Sequence, residues 1–140
     1  MGLEKVFKQY CALDQQGKIE EGKKAYQALR ANLKVNGYDD KAADEVVWLF
    51  VRAAVGADRY GSKEEYELFV AVTGFEISAE EFAKFAKRGD KKEFADAMDS
   101  IVDSLDKRAK ESILGFVACF LSVDGKLGEE EKELFKNFED

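Results

Sequence analysis

Apolar residues recur along this chain at the three- and four-residue steps of a helix, not at the alternation of a strand. Leu3, Val6, Phe7 and Tyr10 mark a first helix that should stop before Gly17. Tyr26, Leu29 and Leu33 share one face of a second, from about Ile19 to Asn36, with Gly37 as its stop. Further on, Ser62 with Glu65, Ser78 with Glu81 and Asp90 with Glu93 each set an oxygen acceptor three residues ahead of a carboxylate, the pattern of a helix start. Stops fall near Gly74 and Gly89, and the absence of proline removes the usual interior breaker. The pattern predicts an all-α fold, a single-domain bundle of about eight helices with no strand and no long linker. Residues 1–38 are expected to form an N-terminal helical hairpin on the same core, and residues 39–140 a helical repeat domain.

Two stretches, Ala42 to Ala57 and Glu111 to Val123, are apolar on nearly every side. Such helices belong at the centre of a bundle, wrapped by amphipathic neighbours. Gly115 and Ala118 would let a neighbour approach closely. The two stretches also align without gaps at a constant offset of 66 residues, pairing Phe50 with Phe116, Val51 with Val117, Asp58 with Asp124, Glu65 with Glu131 and Phe69 with Phe135. The chain therefore carries two copies of a helix–acidic turn–helix pair. A fainter echo lies at Asp14 and Glu21, which keep the same seven-residue separation without matching flanks.

The second copy, "FLSVDGKLGEEEKELF", invites comparison with a calcium-binding EF-hand loop. Counting from Asp124 puts Lys126 at position 3, Glu129 at position 6 and Phe135 at position 12. An EF-hand needs an oxygen ligand, a glycine and a glutamate at those places, so this is not one. A different arrangement remains open. In each copy an Asp ends a buried helix and a Glu sits in the first turn of the next, with a chain reversal between them. Packed about a pseudo-twofold axis, Asp58, Glu65, Asp124 and Glu131 would form one carboxylate cluster, with Glu64 and Glu130 beside it. Hard cations such as Ca²⁺ or Mg²⁺ take oxygen ligands of this kind. The same residues also suit plain helix ends: Ser62 with Glu65 is a capping box, Glu129 to Glu131 complement a helix dipole, and Asp124-Gly125 closes a helix.

Composition narrows the function classes. A hydrophobic share of 46% over 140 residues supports a sizeable core. A net charge of −7 argues against nucleic acid and for a cation or a basic protein partner. There is no histidine, which removes the commonest general base and makes zinc or copper sites unexpected. Cys11 and Cys119 fall in apolar patterns and are expected to be buried free thiols of a reducing compartment. The start, MGLEKVFKQY, has no signal-peptide apolar core, and Lys5 and Val6 do not fit a myristoylation signal. The longest apolar run, Ile113 to Leu121, is too short to span a bilayer, so no membrane insertion and a cytoplasmic location are expected.

An apolar helix ending in a small residue, Asp-Gly, an aliphatic and a following Glu, then a second amphipathic helix, resembles the TerB-like (tellurite-resistance) helical family. The likeness runs from about Ala42 to Phe138. Val123 to Glu131 follows the pattern with Gly128 at the usual Ser/Thr place; Ala57 to Glu65 keeps Asp58, Ser62 and Glu65 but has Arg59 where Gly is usual. The resemblance implies a non-enzymatic, all-helical bacterial protein of the tellurite and chemical-stress response, with two helix-pair repeats. It also implies a cation site at the clustered acidic residues, here Asp58, Glu65, Asp124 and Glu131. Arg59 is a cation that could take a metal's place there by forming a salt bridge. If the acidic turns are only helix caps, an interaction module with a protein partner is the alternative.

Overall fold

The computed structural model describes residues 2–55, 63–86, 91–125 and 127–138, and side chains for all of these except 91, 124, 130, 131, 134 and 137. Among the described residues the regular structure is entirely helical. The elements are α1 (Leu3–Cys11), α2 (Gln15–Val35), α3 (Asp40–Val55), α4 (Lys63–Thr73), α5 (Ala79–Phe85), α6 (Lys91–Ser104) and α7 (Lys107–Asp124). A short α8 (Glu129–Leu134) and a 3₁₀ turn (Lys136–Phe138) follow. No described helix is long and apolar enough to cross a membrane.

Local chemistry decides where these helices begin. Asp14 caps α2 by accepting from the Gly17 amide at 2.8 Å, and Asp106 caps α7 by accepting from the Ala109 amide at 2.9 Å. Both helices therefore start four residues earlier than apolar spacing predicts. α1 ends at Cys11, before Gly17 as expected, and Gly17 itself lies in the first turn of α2. A cap acts through the first orphan amides and so reaches ahead of the first apolar residue. Of the three expected capping boxes, Ser78 with Glu81 forms in full at α5. Ser62 and Asp90 lie outside the described residues, as does the expected stop at Gly89. The stop at Gly74 is observed, one residue past α4.

α7 is the centre of the packing: α1, α2, α3, α4 and the 3₁₀ turn all lie against it. Phe116, Val117, Ala118, Cys119 and Phe120 are wholly buried, as are Val47, Phe50, Val51 and Ala53 on α3. Leu3, Phe7, Tyr10, Leu29 and Leu33 from the first two helices join the same apolar cluster. Residues paired by the 66-residue offset share this fate, since Phe50 and Phe116, Val51 and Val117, and Phe69 and Phe135 are all fully buried. The second helices of the two pairs differ, α4 running for 11 residues whereas α8 has six before the 3₁₀ turn. Aromatic rings line the core on both sides of α3: Phe50 meets Phe138 edge-on at 5.4 Å, and Trp48 packs on Phe69 at 4.8 Å.

Gly115 does face a neighbour, with Ala25 of α2 at ordinary contact distance. The closest approach, however, is at Gly22 of α2. A Cβ there would stand 2.8 Å from Val72 Cγ2 and 2.9 Å from Cys119 Sγ, so α2 can cross α4 and α7 only without a side chain at this point. One expectation is corrected. Cys119 is buried, but Cys11, the last residue of α1, is exposed.

Two stability tests follow from this packing. Phe50→Ala or Phe116→Ala should each destabilise by about 3–5 kcal/mol in denaturant unfolding, as for large-to-small core changes. Gly22→Ala gains about 1 kcal/mol of helix propensity but overpacks a rigid site at a cost of about 1–3 kcal/mol. A net loss is expected; a variant more stable than the native chain would mean that α2 can retreat from α4 and α7.

Candidate functional site

The acidic turn after α7 is built from an ordinary helix end. Gly125 adopts a left-handed conformation (φ 70°), and its amide donates to the Ser122 carbonyl at 3.2 Å. The same carbonyl accepts from Lys18 Nζ of α2 at 3.1 Å. In return, the Lys18 carbonyl accepts from Cys119 Sγ at 3.5 Å, and the Ser122 hydroxyl donates to the Cys119 carbonyl at 2.7 Å. The first turn of α2 is thus clasped to the last turn of α7. An ammonium at a helix C-terminus also meets the negative end of the helix dipole.

Among the described residues two polar side chains are buried, and they belong to the two helix pairs: Glu65 in the first turn of α4, 1% exposed, and Ser122 in the last turn of α7, 3% exposed. Glu65 stands where a capping-box glutamate would. The working example of such a glutamate in this protein is Glu81, which accepts from the Ser78 amide at 3.3 Å and remains exposed. Capping does not require burial. A carboxylate taken fully out of water is costly unless charge or hydrogen bonds compensate it. Burial therefore sets Glu65 apart from an ordinary cap.

The other candidates are placed less fully. Asp124 is the last residue of α7 and Glu131 lies in the first turn of α8, but their side chains, and all of Asp58 and Arg59, lie outside the described residues. Glu64 is exposed on α4; the side chain of Glu130 is outside the described set. Among the described side chains no group of three His, Cys, Asp or Glu residues could hold a metal. The faint third copy has a different structure. Asp14 caps α2, while Glu21 lies farther along the same helix, exposed and paired with Lys24 at 3.2 Å, with no turn between them.

Lys18 is the residue that the sequence pattern did not single out. It sits in a polar first turn, "QQGK", with no spacing that ties it to a partner 104 residues away. Cys119 has its pKa pushed up to about 12 by burial, with Lys18 pulling weakly the other way. It is a protonated core thiol and not a nucleophile, since reactivity belongs to the thiolate.

Comparison of the chain with protein-family models, with curated proteins and with solved structures finds no match in any of the three.

The two thiols should separate cleanly. At about pH 8 an alkylating reagent should label Cys11 readily and Cys119 only after unfolding, as mass spectrometry of the native protein would record. The linkage has a definite sign. The folded thiol titrates above its ordinary value of 9.0. Its contribution to stability is therefore complete below that pH and is lost as pH rises toward 12. Fast labelling of Cys119 in the native state would contradict its burial.

Proposed function

We propose that the protein is a non-enzymatic, TerB-like helical domain of the bacterial stress response. Its duplicated acidic turns bind a divalent cation, Ca²⁺ or Mg²⁺, through Asp58, Glu65, Asp124 and Glu131. The burial of Glu65 carries the proposal, because at 1% exposure this carboxylate is withdrawn from water, whereas the capping glutamate Glu81 stays exposed. An all-oxygen donor set suits a hard cation, and a chain without histidine favours that class over zinc or copper. A bound ion would tie the α3–α4 turn to the α7–α8 turn and offset the mutual repulsion of the carboxylates.

Thermal unfolding tests it. In millimolar Ca²⁺ or Mg²⁺ against chelator, a ligand at about 100 times its dissociation constant adds roughly 2.7 kcal/mol. The native protein should gain that stability, while Glu65→Gln and Asp58→Asn/Asp124→Asn should gain little. Equal gains in all three would indicate general screening of the −7 charge. No gain in any of them would leave the turns as helix ends.

One observation favours a second role. Gly125 and Lys18 already satisfy the Ser122 carbonyl at the end of α7, which supports the alternative of acidic turns that only cap helices, in a protein-interaction module.

A further inference from the structure

Beside α1 the bundle is not closed. Val6, Gln9 and Tyr10 of α1, with Leu13 just after it, face Glu21 of α2 and Gly115 of α7 across a cavity of about 380 Å³. Val6, Leu13 and the Tyr10 ring supply apolar walls, while Gln9 and Glu21 stand exposed at the rim. Pockets of this make, apolar with a few polar groups, are where small molecules bind.

Two residues of the lining are not accounted for by packing. Tyr10 is 7% exposed, yet among the described residues its hydroxyl has no hydrogen-bond partner. A buried hydroxyl in that position takes its partner from whatever fills the cavity, water or a ligand. Burial, with Cys119 and Glu21 adding to it, pushes the phenol above its usual range, so the group stays a neutral O–H. Gly115 is the second. Glycine weakens a helix interior, and here neither backbone nor neighbours demand it. Its φ is not positive, and a Cβ would meet only Ala25, at an ordinary 3.6 Å. At Gly22, by contrast, a Cβ would collide with Val72 and Cys119. What the bare backbone at Gly115 leaves is space in the cavity.

Charge narrows the ligand. Among the described residues Glu21 is the one charged group in the lining, and it already pairs with Lys24 at 3.2 Å. An anion would meet this carboxylate with no cation of the lining to hold it, and an organic cation would have to displace Lys24. We propose that the α1–α2–α7 cavity binds a small uncharged molecule with an apolar body and one hydroxyl or carbonyl group. The body lies between Val6, Leu13 and Gly115, and the polar group hydrogen-bonds to the Tyr10 hydroxyl. None of these residues belongs to the acidic turns. The test is run in chelator, so that its failure and that of the cation site are distinguishable.

The probes share one body: benzyl alcohol, toluene, benzoate and protonated benzylamine, titrated into ¹⁵N-labelled protein and followed by amide NMR. Benzyl alcohol should shift the amides of Val6, Tyr10, Leu13 and Gly115 along a saturating curve with a Kd on the order of 1 mM. Toluene should bind about fivefold more weakly, the factor of one net hydrogen bond, and the two charged probes no better than toluene. Tyr10→Phe should bring benzyl alcohol down to the affinity of toluene and leave toluene unchanged. Its melting temperature should stay close to the native value, because no protein hydrogen bond is lost. Gly115→Leu, which fills the cavity, should weaken both probes by at least about tenfold; if that variant does not fold, the Tyr10→Phe comparison decides alone. The proposal is overturned if benzyl alcohol gives no saturating shift at these amides up to about 10 mM. Equal affinity of toluene, tighter binding of a charged probe, or unchanged affinity for benzyl alcohol in a folded Tyr10→Phe overturns it as well.

Discussion

From Phe116 to Ser122, α7 buries seven residues in succession. Successive side chains on a helix point about 100° apart, so a run of that length has no side left for water. Such a helix must be enclosed on every side. α1, α2, α3 and α4 form the enclosure, and the closeness of α2 requires Gly22 to have no side chain. Burial reaches Ser122 in the last turn of α7, and Gly125 just beyond it is exposed. The terminal carbonyls then need partners that water would otherwise supply, and Gly125 and Lys18 provide them at Ser122.

The same constraint shapes the chemistry available near the acidic turns. Cys119, wedged beneath Gly22, is held protonated, so the core thiol is part of the packing and not a reactive group. Glu65 is the opposite case, an acidic side chain buried beside a core made mainly of apolar groups. Its burial separates it from Glu81, which stands exposed in the same Ser-x-x-Glu pattern. Lys18, reaching across from α2, donates to the Ser122 carbonyl at the same end of α7.

On the opposite flank of α3 the balance of forces differs. Tyr38 with Ser104 and Arg52 with Phe85 are polar clasps at the two ends of an apolar cleft between α3 and α6. They hold neighbouring elements in place and leave the floor between them open.

The helical class, the central place of α3 and α7, and the Ser78–Glu81 cap were all legible in the sequence. Each depends on periodicity or on atoms within one turn. Early starts at Gln15 and Lys107 were missed because a cap outranks apolar spacing in fixing a boundary. The acidic pairs were legible as a repeat, but the character of their members was not. Glu65 and Glu81 stand in the same Ser-x-x-Glu pattern, yet one is buried and the other exposed. Nor did the sequence distinguish Cys11 from Cys119, or connect Lys18 with Ser122 across 104 residues. A pattern of a few residues fixes the backbone of a helix and the first turn around it. Which way a side chain faces, and what it meets there, depends on which helices cross over it, and that is decided by contacts between segments far apart in the chain.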